Sequence, residues 1–131
     1  GTKGNYKETD PLLPNNKYAW SKMGGESAVQ MYDNSLILRV CMTEKPFVHK
    51  KAFYDFTTNF IFHDEVAKFL FKLINKKGVI NLGGKTQTVY NFVKQKQKNI
   101  KPISGRKMIN KKFPLKQSMN ISKLKKILKG K

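Results

Sequence analysis

The residues best suited to chemistry are a tyrosine and a lysine four positions apart, Tyr18 and Lys22. In a helix this spacing places both side chains on one face, about one turn apart. A phenol alone is a poor proton donor at neutral pH, but a neighbouring ammonium group stabilises the phenolate. Such a pair can exchange a proton with a carbonyl or hydroxyl oxygen. The spacing by itself is weak evidence, since an exposed tyrosine beside an exposed lysine satisfies it equally well.

The sequence contains no group of residues with the types and spacing of metal ligands. Its single cysteine, Cys41, excludes an internal disulfide and a four-cysteine zinc site. His49 and His63 stand apart, with no acidic or cysteine partners at metal-ligand spacing. We therefore expect no metal site, and we expect both histidines to be structural or surface residues.

The elements that carry Tyr18 and Lys22 are a helix and the strand that follows it. Asn15 or Asn16 can cap a helix that runs to about residue 32. The apolar run 35–41 is typical of a buried strand in an α/β sheet. Residues 1–14 are expected to form a loop, and residues 42–59 are expected to be irregular.

The second part of the chain repeats this alternation. Asp64 is expected to cap a helix that Gly78 ends, and residues 79–82 are expected to form a second strand. Thr86 is expected to cap a third helix that ends at Val93. Residues 94–119 show little periodicity, and a short amphipathic helix closes the chain. The order of elements predicts an α/β fold with too few strands for a self-sufficient sheet.

Charge is distributed unevenly along the chain. The 27 basic residues outnumber the 8 acidic ones, and residues 66–131 hold nineteen basic residues and no acid. This asymmetry makes a polyanion partner worth considering. Only two of the basic residues are arginine, the side chain that reads bases and binds phosphate bidentately. Specific nucleic-acid binding is therefore not expected.

A longer pattern surrounds the tyrosine and the lysine. Its members in residues 4–27 are Tyr6, Glu8, Asp10, Pro14, Tyr18, Ser21, Lys22 and Glu26. This pattern resembles the extended short-chain dehydrogenases/reductases of the NAD-dependent epimerase/dehydratase type, which act on nucleotide sugars. The strand that ends near Arg39 and the segments 60–67 and 78–84 resemble later parts of the same family. The nearest resemblance is to the dTDP-4-dehydrorhamnose reductase, or sugar-nucleotide-binding, group.

The resemblance implies a fold and a division of the chain. The chain would be the C-terminal half of a Rossmann-type reductase, with a catalytic helix, short parallel strands and a small substrate-binding lobe. Residues 1–41 would complete the Rossmann-type domain, and residues 42–131 would form the substrate-binding lobe with its lysine-rich end. The glycine-rich dinucleotide motif does not occur in the sequence. In the family this motif lies in the N-terminal half, which would be a missing partner.

The resemblance also implies an activity, the reduction of a 4-keto-6-deoxy nucleotide sugar with NADP or NAD as cofactor. Tyr18 would donate a proton to the sugar carbonyl, and Lys22 would stabilise the phenolate and bind the nicotinamide ribose. Both would therefore contact the cofactor. Substrate contacts are expected from Phe47, Lys50 and Arg106.

Other functions stay open on the sequence alone. The chain could be a non-catalytic sugar-nucleotide-binding or regulatory module, a nucleotide-sugar epimerase or dehydratase, or a polyanion binder. Gly24 and Gly25 favour close packing of the Tyr18–Lys22 helix against another helix or a second subunit. Because related enzymes often pair through this helix, the resemblance implies a homodimer through it. No apolar run reaches the roughly 18 residues of a membrane span, and a cytoplasmic location is expected.

Overall fold

Short helices and strands alternate along the whole chain in a computed structural model that describes residues 2–109 and 113–130. Three parts of the chain lie outside the described residues: residue 1 in the expected N-terminal loop, residues 110–112 in the expected irregular segment, and residue 131. The elements in chain order are α1 (Lys17–Gln30), β1 (Leu36–Val40), β2 (Met42–Thr43), β3 (Lys51–Phe53), β4 (Thr57–Thr58), β5 (Ile61–Phe62), α2 (His63–Leu73), β6 (Gly78–Leu82), β7 (Gln87–Thr88), α3 (Val89–Lys94), β8 (Lys101–Ile103), α4 (Gly105–Met108) and α5 (Ser122–Lys129).

The described strands form four two-stranded sheets. The longest pair is β1 with β6, which run parallel from Leu36 opposite Gly78 to Val40 opposite Leu82. β2 with β5 and β3 with β8 are also parallel, whereas β4 with β7 is antiparallel. The predicted α/β class with short parallel strands is confirmed.

A first apolar core covers one face of the β1–β6 sheet. Ile80 and Leu82 of β6 are fully buried there against Leu73 of α2 and Leu124 of α5. Leu36 and Leu38 of β1 share that face because side chains alternate along a strand. The apolar side of α5 therefore lies against the sheet, as its spacing predicts. No described helix is long and apolar enough to cross a bilayer.

A second core lies under the later strands and α3. Its buried members are Phe47, Ala52, Val89, Val93 and Ile100. Several aromatic rings surround it, and the centroids of Phe62 and Phe92 lie 4.9 Å apart. The two cores give the chain two separately packed regions.

Three expected helix boundaries are wrong. The N-cap of α2 is Phe62 rather than Asp64, and the Glu65 carboxylate accepts a hydrogen bond from the Phe62 backbone N–H at 3.1 Å. Gly78 has a positive φ of 80°, but it begins β6 and lies four residues after the C-cap of α2. Thr88 caps α3, because its hydroxyl accepts from the Asn91 N–H at 3.2 Å, whereas the Thr86 hydroxyl accepts from the Asn59 amide.

The segments expected to be irregular contain short regular elements. Strands β2, β3 and β4 lie within 42–59, and β8 and α4 lie within 94–119. These strands have two or three residues each, which is too short for an alternating apolar pattern to identify them. Tertiary pairing with distant strands, rather than local periodicity, determines their conformation.

Candidate functional site

Helix α1 presents Tyr18 and Lys22 together at the protein surface. The Asn16 side chain caps the helix by accepting a hydrogen bond from the Ala19 N–H at 2.7 Å. The Lys22 Nζ atom lies 5.3 Å from the centroid of the Tyr18 ring. Among the described residues, neither the Tyr18 hydroxyl nor the Lys22 ammonium has a hydrogen-bond partner, and the Tyr18 side chain is 71% exposed. Both polar groups can therefore bind a ligand.

An ion pair fixes α1 on the second face of the β1–β6 sheet. No residue of α1 is buried, so apolar packing contributes little to its position. Arg39 of β1 instead makes a bidentate contact with Glu26 of α1, with nitrogen–oxygen distances of 2.6 Å and 3.1 Å. Both side chains are mostly buried, which strengthens such a pair relative to a solvated one.

The same network reaches the N-terminal loop and β6. Arg39 also donates to the carbonyl oxygen of Glu8 at 3.1 Å, and the Glu8 carboxylate accepts from the Asn81 backbone N–H at 3.0 Å. The buried Asn81 amide donates to the carbonyl oxygens of Tyr6 and Asn120. The loop before α1, the helix and both strands are thereby tied to one another.

A groove opens between α1 and β1, with a volume of about 1080 Å³. Tyr18 and Lys22 line it on the helix side, and Leu38 and Val40 line it on the strand side. Met119 from the C-terminal segment also borders it. The Tyr18 and Lys22 side chains therefore border a space large enough for a ligand.

Three solved structures share this arrangement of elements. A hypothetical dTDP-4-dehydrorhamnose reductase from Sulfolobus tokodaii matches 97% of this chain, with a TM-score of 0.78 and 25% sequence identity. The dTDP-4-dehydrorhamnose reductase from Yersinia enterocolitica matches 95% with a TM-score of 0.75 and 21% identity. The one from Bacillus anthracis, solved in complex with NADP, matches 96% with a TM-score of 0.73 and 18% identity.

The chain has the fold of dTDP-4-dehydrorhamnose reductases. It covers 53–54% of each of these three proteins, so it spans about half the length of the structures that it matches. No protein-family model and no curated protein matches the sequence. The resemblance to the reductases that the motifs predict is thus confirmed in three dimensions. The division at residue 41 stays a prediction.

The residues expected to contact substrate lie away from the groove of this reductase fold. Phe47 is 9% exposed in the second core, where its ring packs edge-on against His49. Lys50 is exposed, and its carbonyl oxygen accepts from the Lys101 N–H beside the β3–β8 pair. Arg106 is exposed near the start of α4. None of the three lines the groove, and their roles stay predictions.

A carboxylate organises the segment that carries Arg106. Asp55 accepts from the Ser104 hydroxyl at 2.7 Å and from the backbone N–H groups of Gly105 and Arg106 at 2.6 Å and 3.2 Å. Burial acts to raise the pKa of Asp55, but these hydrogen bonds outweigh it and lower the pKa below its usual value. The charged form of Asp55 therefore holds the start of α4.

The described residues contain no group of three or more histidine, cysteine or acidic side chains that could hold a metal ion. His49 and His63 are both exposed.

The residues that sequence reasoning did not assign to the site are those that position α1. Arg39, Glu26 and Glu8 were visible as members of the pattern, but a pattern does not show that they contact one another. The buried Asn81 was also part of the segment 78–84 that resembles the family, whereas the buried Asn59 gave no signal in the sequence.

Proposed function

We propose that this chain supplies the acid–base half of a nucleotide-sugar reductase, which reduces a 4-keto-6-deoxy nucleotide sugar with NADPH or NADH. The observation that carries the proposal is the exposed Tyr18–Lys22 pair at a groove, in a fold shared with proteins described as dTDP-4-dehydrorhamnose reductases. A binding module without catalysis would need the fold, but it would not need a proton donor beside a cation.

The proposed chemistry assigns one proton transfer to this chain. A nicotinamide cofactor would supply the hydride that the carbonyl carbon receives. Tyr18 donates its hydroxyl proton to the carbonyl oxygen, so that the ketone becomes a secondary alcohol and the tyrosine becomes a phenolate. Lys22 stabilises that phenolate and donates hydrogen bonds to the cofactor ribose. Exchange with solvent then restores the Tyr18 proton.

The Arg39–Glu26 pair has a positioning role in this scheme. Proton transfer requires the donor within about 2.6–3.2 Å of the acceptor oxygen. The helix that carries Tyr18 has no buried side chain, so its orientation depends on the ion pair and on the loop before it. We infer that Arg39 acts through α1 rather than on the substrate.

The lobe formed by later residues would hold the nucleotide diphosphate. Lys50 and Arg106 remain the proposed cations, because both are exposed and a diphosphate needs fixed positive groups. Phe47 would support the segment that carries Lys50, because its own ring is buried. Epimerase or dehydratase chemistry would use the same tyrosine, but the matched structures are described as reductases.

Cofactor binding tests this proposal without requiring the sugar. The completed protein, defined as this chain joined to the part of the Sulfolobus tokodaii reductase that it does not cover, is titrated with NADPH while nicotinamide fluorescence is recorded. Lys22→Ala should weaken binding by about tenfold, the effect of one lost charged hydrogen bond. Lys17→Ala, one residue from Tyr18 but outside the groove lining, should change it less than twofold. Equal effects of the two substitutions would contradict the assignment of Lys22.

A further inference from the structure

Residues 113–120, which we call the strap, pair with β4 along one edge. The Thr57 N–H donates to the Leu115 carbonyl oxygen at 2.8 Å, and the Gln117 N–H donates to the Thr57 carbonyl oxygen at 3.0 Å. These two bonds give the pattern of a short parallel pairing around Thr57. The backbone of Gln117 is therefore fixed to a neighbouring strand.

The other edge of the strap pairs with the N-terminal loop. The Tyr6 N–H donates to the Ser118 carbonyl oxygen at 3.1 Å, and the Asn120 N–H donates to the Tyr6 carbonyl oxygen at 2.7 Å. The Ser118 hydroxyl is buried and accepts from the Asn5 N–H at 2.8 Å. Because hydrogen bonds hold both of its edges, the strap is a fixed part of the fold rather than a mobile surface loop.

The buried Asn59 side chain connects the strap to the turn after β6. Its oxygen accepts from the Met119 N–H at 2.7 Å, and its nitrogen donates to the Gly84 carbonyl oxygen at 2.8 Å and to the Thr86 hydroxyl at 3.0 Å. Asn59 is 0% exposed, so these bonds replace its contacts with water. Asn59 thereby sets the position of the strap at Met119.

The strap presents alternate side chains to opposite sides. Ser118 is directed to the N-terminal loop, whereas Gln117 and Met119 line the groove. Successive side chains of an extended segment point in opposite directions, which explains this alternation. Tyr18 and Lys22 line the same groove. The strap therefore brings a polar amide and an apolar thioether to the groove that the candidate acid–base pair borders.

The side-chain amide of Gln117 is only partly engaged within the chain. Its nitrogen donates to the Pro114 carbonyl oxygen at 3.1 Å, a contact inside the strap that orients the amide. Its oxygen accepts no hydrogen bond from the described residues. Because the half-buried Gln117 lines the groove, this oxygen is a positioned acceptor that a ligand there can use.

We propose that Gln117 is a specificity-determining residue that accepts a hydrogen bond from a hydroxyl group of the sugar, with Met119 as the apolar contact beside it. The inference rests on the proposed function, because the sugar is the ligand that the function places in this groove. A 6-deoxy sugar carries hydroxyl donors and a methyl group, the complements of an amide oxygen and a thioether. Phosphate oxygens only accept hydrogen bonds at neutral pH, so the diphosphate does not suit this acceptor.

Two ligands that differ by the sugar test this assignment. The completed protein is titrated calorimetrically with dTDP and with dTDP-4-dehydrorhamnose, both without cofactor. Gln117→Met keeps the length of the side chain and removes its hydrogen-bonding groups. It should weaken the binding of dTDP-4-dehydrorhamnose by about tenfold, because a sugar hydroxyl loses its partner, and that of dTDP by less than twofold.

Gln95→Met is the matched control. The Gln95 side chain is exposed, bonds to Gln87 at 3.0 Å and lies outside the groove lining, so both affinities should change less than twofold. An unchanged affinity of Gln117→Met for dTDP-4-dehydrorhamnose, or an equal loss for dTDP, would overturn the proposal. A tenfold loss of NADPH affinity in Gln117→Met would also overturn it, because the nicotinamide carboxamide would then be the donor that Gln117 binds.

The outcomes separate the role of Gln117 from the proposed function. A selective loss of dTDP-4-dehydrorhamnose binding in Gln117→Met, in a protein that does not reduce this sugar, would refute the proposed function and leave the role of Gln117 intact. Reduction with the same KM in the native sequence and in Gln117→Met would refute the role of Gln117 and leave the function intact. A native completed protein that does not bind dTDP-4-dehydrorhamnose would refute both.

Discussion

Arg39 makes the ion pair that links the Tyr18 helix to β1. Replacing it with alanine removes three hydrogen bonds and leaves the mostly buried Glu26 carboxylate without its cation. We predict that Arg39→Ala lowers the free energy of unfolding by about 2–4 kcal/mol, measured by urea denaturation. Hydrogen exchange of the α1 amides should also accelerate more than that of α5.

The matched control for Arg39 is Lys45. Its contact with Asp64 is also a salt bridge, at 3.1 Å, but the side chains are 54% and 41% exposed. Solvent screens such a pair, so Lys45→Ala should cost less than about 1 kcal/mol. A cost for Lys45→Ala that equals that for Arg39→Ala would contradict the role assigned to the Arg39 network.

Asp55 gives a pH-dependent prediction at the same scale. Hydrogen bonds lower its pKa in the folded chain, so its charged form is favoured by folding. The resulting stabilisation is present above the unfolded pKa of about 4 and is lost as the pH falls through the folded pKa. Urea denaturation at pH 7 and at pH 3 should therefore show a larger loss of unfolding free energy for the native chain than for Asp55→Asn.

A second aspartate provides the comparison. Asp33 lies on the turn after α1, and its side chain has no hydrogen bond among the described residues. Asp33→Asn should keep the full pH dependence of the native chain. If Asp55→Asn keeps it as well, the three hydrogen bonds to Asp55 do not stabilise the charged form as described.

At the scale of elements, two glycines in different surroundings make opposite predictions. A Cβ atom on Gly84 would lie 2.7 Å from the Phe60 carbonyl oxygen and 2.9 Å from the Ile61 side chain, whereas a Cβ on Gly24 of α1 would meet nothing within 4 Å. Gly84→Ala should therefore destabilise the chain by roughly 1–3 kcal/mol through overpacking. Gly24→Ala should stabilise it by up to about 1 kcal/mol through helix propensity.

Thermal denaturation of these two variants checks the argument by the sign of the change in Tm. A lower Tm for Gly84→Ala and an unchanged or higher Tm for Gly24→Ala are expected. A lower Tm for Gly24→Ala would mean that α1 packs closely through this glycine, as the expected homodimer requires. An unchanged Tm for Gly84→Ala would show that the turn after β6 can move away from Phe60.

The elements also show how far the sequence determines the fold. The helices α1, α2 and α5 and the strands β1 and β6 were predictable, because each has a cap, a periodic apolar face or a continuous apolar run. The caps of α2 and α3 were assigned to the wrong residues. Phe62 caps without a side-chain oxygen, and Thr86 is engaged by Asn59, which no local rule indicates. The strands β2, β3, β4 and β8 exist only through long-range pairing.

Like the fold, the candidate site could be predicted from the sequence only in part. The spacing of Tyr18 and Lys22 correctly predicts that both side chains lie on one helix face, whereas the groove that they line became visible only in the structure. Phe47 shows the limit of the method, because aromatic residues in an unassigned segment can line a site or fill a core. Its burial beside Ala52 and Val93 depends on contacts between segments that are far apart in the sequence.

At the scale of the whole molecule, charged side chains and exposed apolar side chains are distributed differently. Most of the acidic residues are engaged in internal contacts; those with described partners are Glu8, Asp10, Glu26, Glu44, Asp55, Asp64 and Glu65. The excess positive charge therefore remains on the surface. The exposed apolar groups, by contrast, lie mainly around the groove between α1 and β1 and on α2.

The turnover of the completed protein with and without the Tyr18 hydroxyl tests the central claim most directly. NADPH oxidation is followed with dTDP-4-dehydrorhamnose for the native sequence, for Tyr18→Phe, and for Tyr32→Phe as a control on an exposed tyrosine outside the groove lining. We predict that Tyr18→Phe lowers kcat by about 10²–10⁴-fold with little change in KM, because only the proton transfer is lost. Tyr32→Phe should retain full activity. Near-native turnover by Tyr18→Phe, or an equal loss in Tyr32→Phe, would contradict the account.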